Sequence, residues 1–167
     1  MLFRSHALDG DLATYAPHLN IQGMTRILLI GTGRMAYQLG HAIVASGLDL
    51  VGVAGRDVEA RERLARFLDR KALDLTRPLP KADLVILAVS DDAIGTVSAA
   101  LPRTGAVVAH TAGAIGMDLL KDHPDHGVLW PIQSLSHGQP MDMGDVPMVV
   151  DANGEVARSV LLMVANK

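Results

Sequence analysis

The chain contains no cysteine, so disulfides, thiolate catalysis and zinc–thiolate sites are all excluded. It lacks any apolar run long enough to span a bilayer, which takes about 20 consecutive apolar residues. No basic segment leads into an apolar core near the N-terminus, so no secretory signal is expected. Nor is positive charge in excess: the formal net charge of −3 argues against a nucleic-acid or anionic-membrane surface. A cytoplasmic protein that handles a small molecule is the expectation that remains. What the chain has in quantity is apolar residues, 49% of 167, enough to fill a sheet covered by helices on both faces.

The most informative stretch is Arg26-Ile-Leu-Leu-Ile-Gly31-Thr-Gly33-Arg-Met-Ala36. It reads as a buried strand that runs into a glycine turn and then into a helix, Arg34 to about Ser46. Gly31 allows the tight turn, Gly33 lets a pyrophosphate approach the backbone, and Ala36 lets the helix pack close to the strand. The unpaired N–H groups and positive dipole end of that helix then face the phosphates. A dinucleotide site follows from this reading, with the turn Gly31-Thr32-Gly33 against the cofactor.

The end of the second strand selects the nucleotide. Leu50-Val-Gly-Val-Ala54 is a short apolar run, and Gly55-Arg56-Asp57 follows it. The acid that reads the ribose of NAD belongs about 20 residues past the glycine turn. Arg56 stands there instead, with Asp57 one position late. An arginine grips a 2′-phosphate with two parallel charge-assisted bonds, and a carboxylate repels it. NADP is therefore the expected cofactor. Asp57 precedes Val58-Glu-Ala-Arg-Glu-Arg-Leu64 and is expected to cap that helix.

Residues 1–23 show no sustained period, whereas Met24 directly precedes the first strand. An upstream extension over 1–23 and a domain over 24–167 are expected. From there strands and helices alternate, which predicts an α/β fold: a doubly wound, Rossmann-like, mostly parallel sheet with helices on both faces. A helix from Asp57 to about Arg70 should turn Leu64, Phe67 and Leu68 inward and its arginines outward. Leu73-Asp-Leu75 is a short third strand and Leu84–Val89, continuously apolar, the central one. A helix from about Asp92 to Leu101 follows. Ala106–Ala109 and Gly127–Trp130 are the fifth and sixth strands. Val146–Val150 is a seventh, at the edge because Pro147 cannot donate to a ladder. Glu155 to Val164 is the last helix.

Ligands of such a sheet sit beyond the carboxyl ends of its strands. That rule selects Ser90-Asp91-Asp92, His110-Thr-Ala-Gly113 and Pro131-Ile-Gln133-Ser134. Asp91 or Asp92 also suits the cap of the next helix. His110, a polar ring after four apolar residues at the mouth of the sheet, is the candidate proton donor. Gln133 is a candidate donor to a carbonyl or carboxylate. No metal site is expected: Pro124 breaks any helix between His123 and His126, and Asp122 to Gly127 reads as a solvated turn.

Taken together, Gly31-Thr-Gly33-Arg-Met-Ala36, Ala88-Val-Ser-Asp-Asp-Ala-Ile94, His110-Thr-Ala-Gly-Ala114 and Pro131-Ile-Gln-Ser134 resemble the Rossmann-like reductases of the domain-of-unknown-function type. That group is similar to pyrroline-5-carboxylate reductases, ketopantoate reductases and deazaflavin-dependent NADP reductases. The resemblance implies that Gly31, Gly33, Arg34, Met35 and Arg56 hold NADP, that Ser90, Asp91 and Asp92 lie beside its ribose, and that His110 and Gln133 face the pocket. It further implies hydride transfer between NADPH and a small carbonyl or imine compound, either a 2-oxo acid such as ketopantoate or a cyclic imino acid. A helical domain that closes the pocket and forms a homodimer is implied as well.

Two features depart from the pattern. Trp130 stands where many members carry histidine, and the chain stops at Lys167, where the group continues into its helical domain. The expectation is the cofactor half of a reductase, binding NADP with little turnover because water exclusion and substrate orientation are incomplete. Two rivals are a non-enzymatic NADP-binding sensor or regulatory module and a methyltransferase. The second wants an acid on the second strand, which Arg56 does not supply.

Overall fold

The computed structural model describes residues 25–135 and 138–167; the expected extension and the expected start at Met24 lie outside the described residues. The elements run β1 (Arg26–Ile30), α1 (Arg34–Ala45), β2 (Asp49–Ala54), α2 (Val58–Phe67), β3 (Ala72–Leu73), β4 (Leu84–Leu87), α3 (Ile94–Ala100), β5 (Val107–His110), β6 (His126–Pro131), β7 (Met148–Ala152) and α4 (Glu155–Ala165). Two 3₁₀ turns, Asp91–Ala93 and Met117–Leu120, precede α3 and follow β5. One sheet takes all seven strands in the order β3-β2-β1-β4-β5-β6-β7. Every neighbouring pair is parallel except β6 with β7.

Why the strands sit where they do follows from their side chains. β1, β4 and β5 are buried along almost their whole length, as strands covered on both faces must be. Ile27, Leu29, Ile86, Val107 and Ala109 point to a core shared with Leu39 and Ile43 of α1 and Val160 and Leu161 of α4. Leu28, Ile30, Val85, Leu87 and Val108 point the other way, to Ile94 of α3 and Leu120. Each such Leu or Ile contributes roughly 1.5–3 kcal/mol on burial. A bidentate brace adds to this at the start of β1. The Arg26 guanidinium donates to both carboxylate oxygens of Asp83, at 3.1 and 2.9 Å, and the Arg26 backbone N–H donates to the same group. Arg26 thereby holds the Asp83 carboxyl below the usual carboxylate range.

The sheet order has one consequence for function. β1 pairs with β2 on one side and with β4 on the other, so the winding reverses between β1 and β4. Loops after β1 and β4 therefore run to opposite faces and leave a crevice at their carboxyl ends.

Several elements differ in detail from the sequence expectation. α2 ends at Phe67, because Asp69 adopts a left-handed conformation with φ 52° and the chain folds back. The Asp69 and Arg70 N–H groups bond the carbonyls of Arg66 and Ala65, the paired bonds of a Schellman stop, here with aspartate where glycine is usual. Phe67 points outward, 46% exposed, and stacks on Tyr37 of α1 with ring centroids 4.6 Å apart. Only Leu64, Ala65 and Leu68 of that face are buried. β3 forms at Ala72–Leu73, one residue earlier than expected, and β7 begins after Pro147. The Pro147 carbonyl still accepts from the Ile132 N–H at 2.8 Å, so only its missing donor leaves the ladder. No helix of the described residues is long and apolar enough to cross a membrane.

Candidate functional site

The crevice at the switch point is a cleft of about 1110 Å³. Its floor is the turn after β1. Gly31 has φ +134°, donates its N–H to the Ala54 carbonyl at 2.8 Å, and lies so close to β4 that a Cβ would overlap the Ala88 carbonyl oxygen. Only glycine fits that position. Two residues on, Gly33 is the N-cap of α1, with no side chain to satisfy the first N–H groups of the helix. Among the described residues, no atom beyond its own chain neighbours lies within 4 Å of where its Cβ would stand. Backbone donors thus face open space at the positive end of α1.

Side chains of three more loops complete the walls. After β2, Gly55, Arg56 and Asp57 line the cleft, with Arg56 exposed and the Asp57 carboxylate accepting from the Ala60 N–H at 2.9 Å, the expected cap. After β4 come Ala88, Val89 and Ser90, continued by Ala93 and Val97. After β6 come Gln133, Ser134 and Leu135. Leu75 closes the β2 side. The cleft therefore brings together Gly31, Thr32, Gly33, Arg34, Met35, Arg56, Ser90 and Gln133 from the sequence expectation. Its apolar wall was not anticipated, although Ala93 and Val97 stand four residues apart, one helical turn, and that spacing was readable.

Three expected roles need correcting. Neither Asp91 nor Asp92 caps the helix after β4: Ser90 occupies the N-cap, without a side-chain cap bond, and the two acids lie in the first turn. Asp91 is exposed and does not line the cleft. The Ser90 hydroxyl holds the Asp92 carboxyl below its usual range, helped by its own and the Ala93 N–H and by the charge of Arg56.

His110 does not face the cleft. Its ring is fully buried, Nδ1 accepts from the Ala112 N–H at 3.2 Å, and Nε2 stands 3.3 Å from the Gly116 carbonyl. An accepting Nδ1 leaves the proton on Nε2, which donates to that carbonyl. Burial, opposed by the Gly116 bond and by Asp91, pushes the imidazole pKa down and keeps the ring neutral near pH 7. The histidine is the spindle on which the loop after β5 is wound. Gly113, on that loop, lies under the Trp130 indole, which a Cβ at Gly113 would overlap.

The turn Asp122–Gly127 is solvated only in part: Asp122 and Pro124 are exposed, and the two histidines are buried. His123 and His126 are 2% and 9% exposed. His123 Nε2 lies 3.1 Å from the Ser98 carbonyl, tying the turn to α3, and His126 Nδ1 lies 2.7 Å from the His123 carbonyl. Pro124 does break a helix there, and the chain uses the two rings as internal hydrogen-bond partners. Among the described residues no group of three or more histidines or carboxylates converges to hold a metal ion.

The model of the Rossmann-like domain family matches residues 18–133, so the chain belongs to that family. Among solved structures it is similar to a Bacteroides fragilis protein assigned as an NADP oxidoreductase, 28% identical, with a TM-score of 0.76 over 85% of this chain and 57% of that one. It is also similar to a pyrroline-5-carboxylate reductase of Coxiella burnetii, 18% identical, TM-score 0.67, covering 86% of this chain and 56% of that one. A Synechocystis arogenate dehydrogenase shares the fold at 18% identity and a TM-score of 0.62, over 85% and 58% of the two chains. The chain thus spans less than three fifths of the length of each. No curated protein matches its sequence.

Proposed function

We propose that this member of the Rossmann-like domain family binds NADP in the cleft between β1 and β4, as the cofactor domain of an oxidoreductase. The observation that carries the reading is the turn after β1. Free backbone donors at the start of α1 meet open space above Gly33, where a side chain would otherwise stand. Gly31 to Met35 would hold the pyrophosphate and Arg56 the 2′-phosphate. Ser90 would flank the ribose, and Ala88, Val89 and Val97 would give apolar contact. The cofactor supplies hydride chemistry, and the residues of the chain bind and orient it. The likeness to the Bacteroides fragilis protein supports the same class.

The partner of that hydride is a small carbonyl or imine compound, a 2-oxo acid such as ketopantoate or a cyclic imino acid, with Gln133 donating to its oxygen or carboxylate. Turnover requires a further body over the cleft, a helical domain that also joins two copies of the chain. A cytoplasmic location goes with this reading. One observation favours a second reading, a non-enzymatic NADP-binding module. The only titratable side chains lining the cleft among the described residues are Arg34, Arg56 and Asp57, none suited to give up a proton to substrate.

Titration of the chain with NADPH and NADH tests the reading. NADPH should bind at least several-fold tighter, since a charge-assisted phosphate contact is worth roughly 1.5–3 kcal/mol. Arg56→Ala should remove most of the difference. Equal affinities in the parent chain would sink the NADP assignment. Steady-state reduction of ketopantoate or pyrroline-5-carboxylate by this chain alone would show that no further body is needed.

A further inference from the structure

A long connection, residues 132–147, joins β6 to β7 without forming a helix or strand among its described residues. Loops longer than roughly 12–15 residues are uncommon in compact domains and usually serve a function. This one begins in the cleft, where Gln133, Ser134 and Leu135 line the wall, and then crosses to the flank of α1.

Two neighbouring side chains of α1 hold it there. The Tyr37 hydroxyl donates to the Gly138 carbonyl at 2.7 Å. The Gln38 amide donates to the Gln139 carbonyl at 3.2 Å and accepts from the Met141 N–H at 2.9 Å. Gln38 is 1% exposed, and a buried amide is costly to leave unbonded, so the side chain and the loop fix one another in a single register. Gly138, with φ +122°, makes the turn that brings these carbonyls to the helix. Tyr37 and Gln38 come directly after the first turn of α1, which the Tyr37 N–H closes on the Gly33 carbonyl. The helix that offers its start to the phosphates thus grips the loop one turn later.

Arg56 and the loop lie on opposite sides of that helix start, because β2 and β6 lie on opposite sides of β1. A dinucleotide with its 2′-phosphate at Arg56 and its pyrophosphate over Gly33 therefore has its other nucleoside on the side of the loop. We infer that Gln38, assisted by Tyr37, is a positioning residue for the nicotinamide half of the cofactor. It holds the loop after β6 so that Gln133 and its neighbours meet that half already ordered. Released from α1, the loop would have to be ordered by the ligand, and affinity would fall by that cost. The inference rests on the NADP reading above.

Calorimetric titration of the full chain with NADPH and with 2′,5′-ADP separates the two halves, since the second ligand lacks the nicotinamide nucleoside. The parent should bind NADPH more tightly. Gln38→Met, close in shape and without the amide, should weaken NADPH about fivefold to tenfold, the scale of one or two neutral hydrogen bonds, and leave 2′,5′-ADP unchanged. Tyr37→Phe keeps the ring on Phe67 and removes only the hydroxyl. It should weaken NADPH alone by about threefold, and it carries the comparison if Gln38→Met does not fold. An equal loss for both ligands would mean that these side chains only support α1. No loss for either ligand would mean that the loop keeps its place without them. A parent that binds NADPH no tighter than 2′,5′-ADP would put the nicotinamide away from the loop. Each of these overturns the inference alone, whereas a parent that binds neither ligand removes the NADP reading and the inference with it.

Discussion

Two loops at the carboxyl edge of the same sheet treat their polar groups in opposite ways. The turn after β1 gives the N–H groups of α1 no side-chain cap, and the described residues leave the space above Gly33 clear. The loop after β5 closes on itself: both ring nitrogens of His110 are engaged by its backbone, and Trp130 covers Gly113. Both begin where a buried parallel strand ends, and both carry glycine. The difference is whether the protein satisfies its own donors. An edge loop that leaves them unmade is a place for a ligand, and one that satisfies them with a side chain is a fixed wall.

Changes in stability should rank these positions, with Gly31 at the top. Gly31→Val combines a φ of +134° with overlap of the Ala88 carbonyl. A loss of roughly 4 kcal/mol or more is expected, and with it a fall in Tm on the order of 10 °C. Thermal unfolding followed by circular dichroism measures it. A shift of only a degree or two would mean that β1 and β4 can separate, and the floor of the cleft would not be the rigid element described above.

The open loop was legible in the sequence and the closed one was not, for a physical reason. Gly31, Gly33 and Ala36 announce a turn through what they lack, and a missing side chain leaves the backbone little choice. Leu84-Val-Ile-Leu reads as a buried strand because no other placement hides it. His110 announces only that a polar group follows an apolar strand. Whether it meets substrate or Ala112 and Gly116 depends on a loop closing over six residues, which no local pattern encodes. His123 and His126 misled in the same way, since proline and aspartate beside them suggested solvent while Ser98 of α3 supplied a buried partner.

The closed loop is tested at His110, with an intermediate effect. His110→Ala leaves the Ala112 N–H and the Gly116 carbonyl without the ring, which should cost roughly 1–3 kcal/mol. The cost should depend on pH. Burial lowers the pKa of the folded ring below the ordinary value of about 6.5. Above that value the ring is neutral in both states and its contribution is complete. Below it the unfolded chain binds the extra proton first, so the contribution is lost as pH falls toward the folded pKa. The stability gap between parent and His110→Ala, from urea unfolding at stepped pH, should therefore narrow between about pH 7 and pH 5. A gap that widens on acidification would mean that the ring is charged in the folded protein, and the neutral spindle would be wrong.

The smallest effect on stability is expected at Gly33, and it sharpens the comparison most. Its backbone, φ −83° and ψ −171°, suits any residue, and among the described residues no atom beyond its chain neighbours lies within 4 Å of a new Cβ. Aspartate at an N-cap accepts from the helix N–H groups and complements the dipole, so Gly33→Asp should change stability by no more than a few tenths of a kcal/mol, in the favourable direction. The same substitution turns the open loop into a closed one. Its carboxylate takes up the donors that a pyrophosphate would use and repels the ligand by charge. NADPH affinity should fall by roughly 100-fold or more, the loss of about 2.7 kcal/mol from charged hydrogen bonds. Calorimetry beside a thermal melt reads both quantities from one preparation. Retained affinity with retained stability would place the phosphates elsewhere, and the contrast between the two loops would no longer identify where the ligand binds.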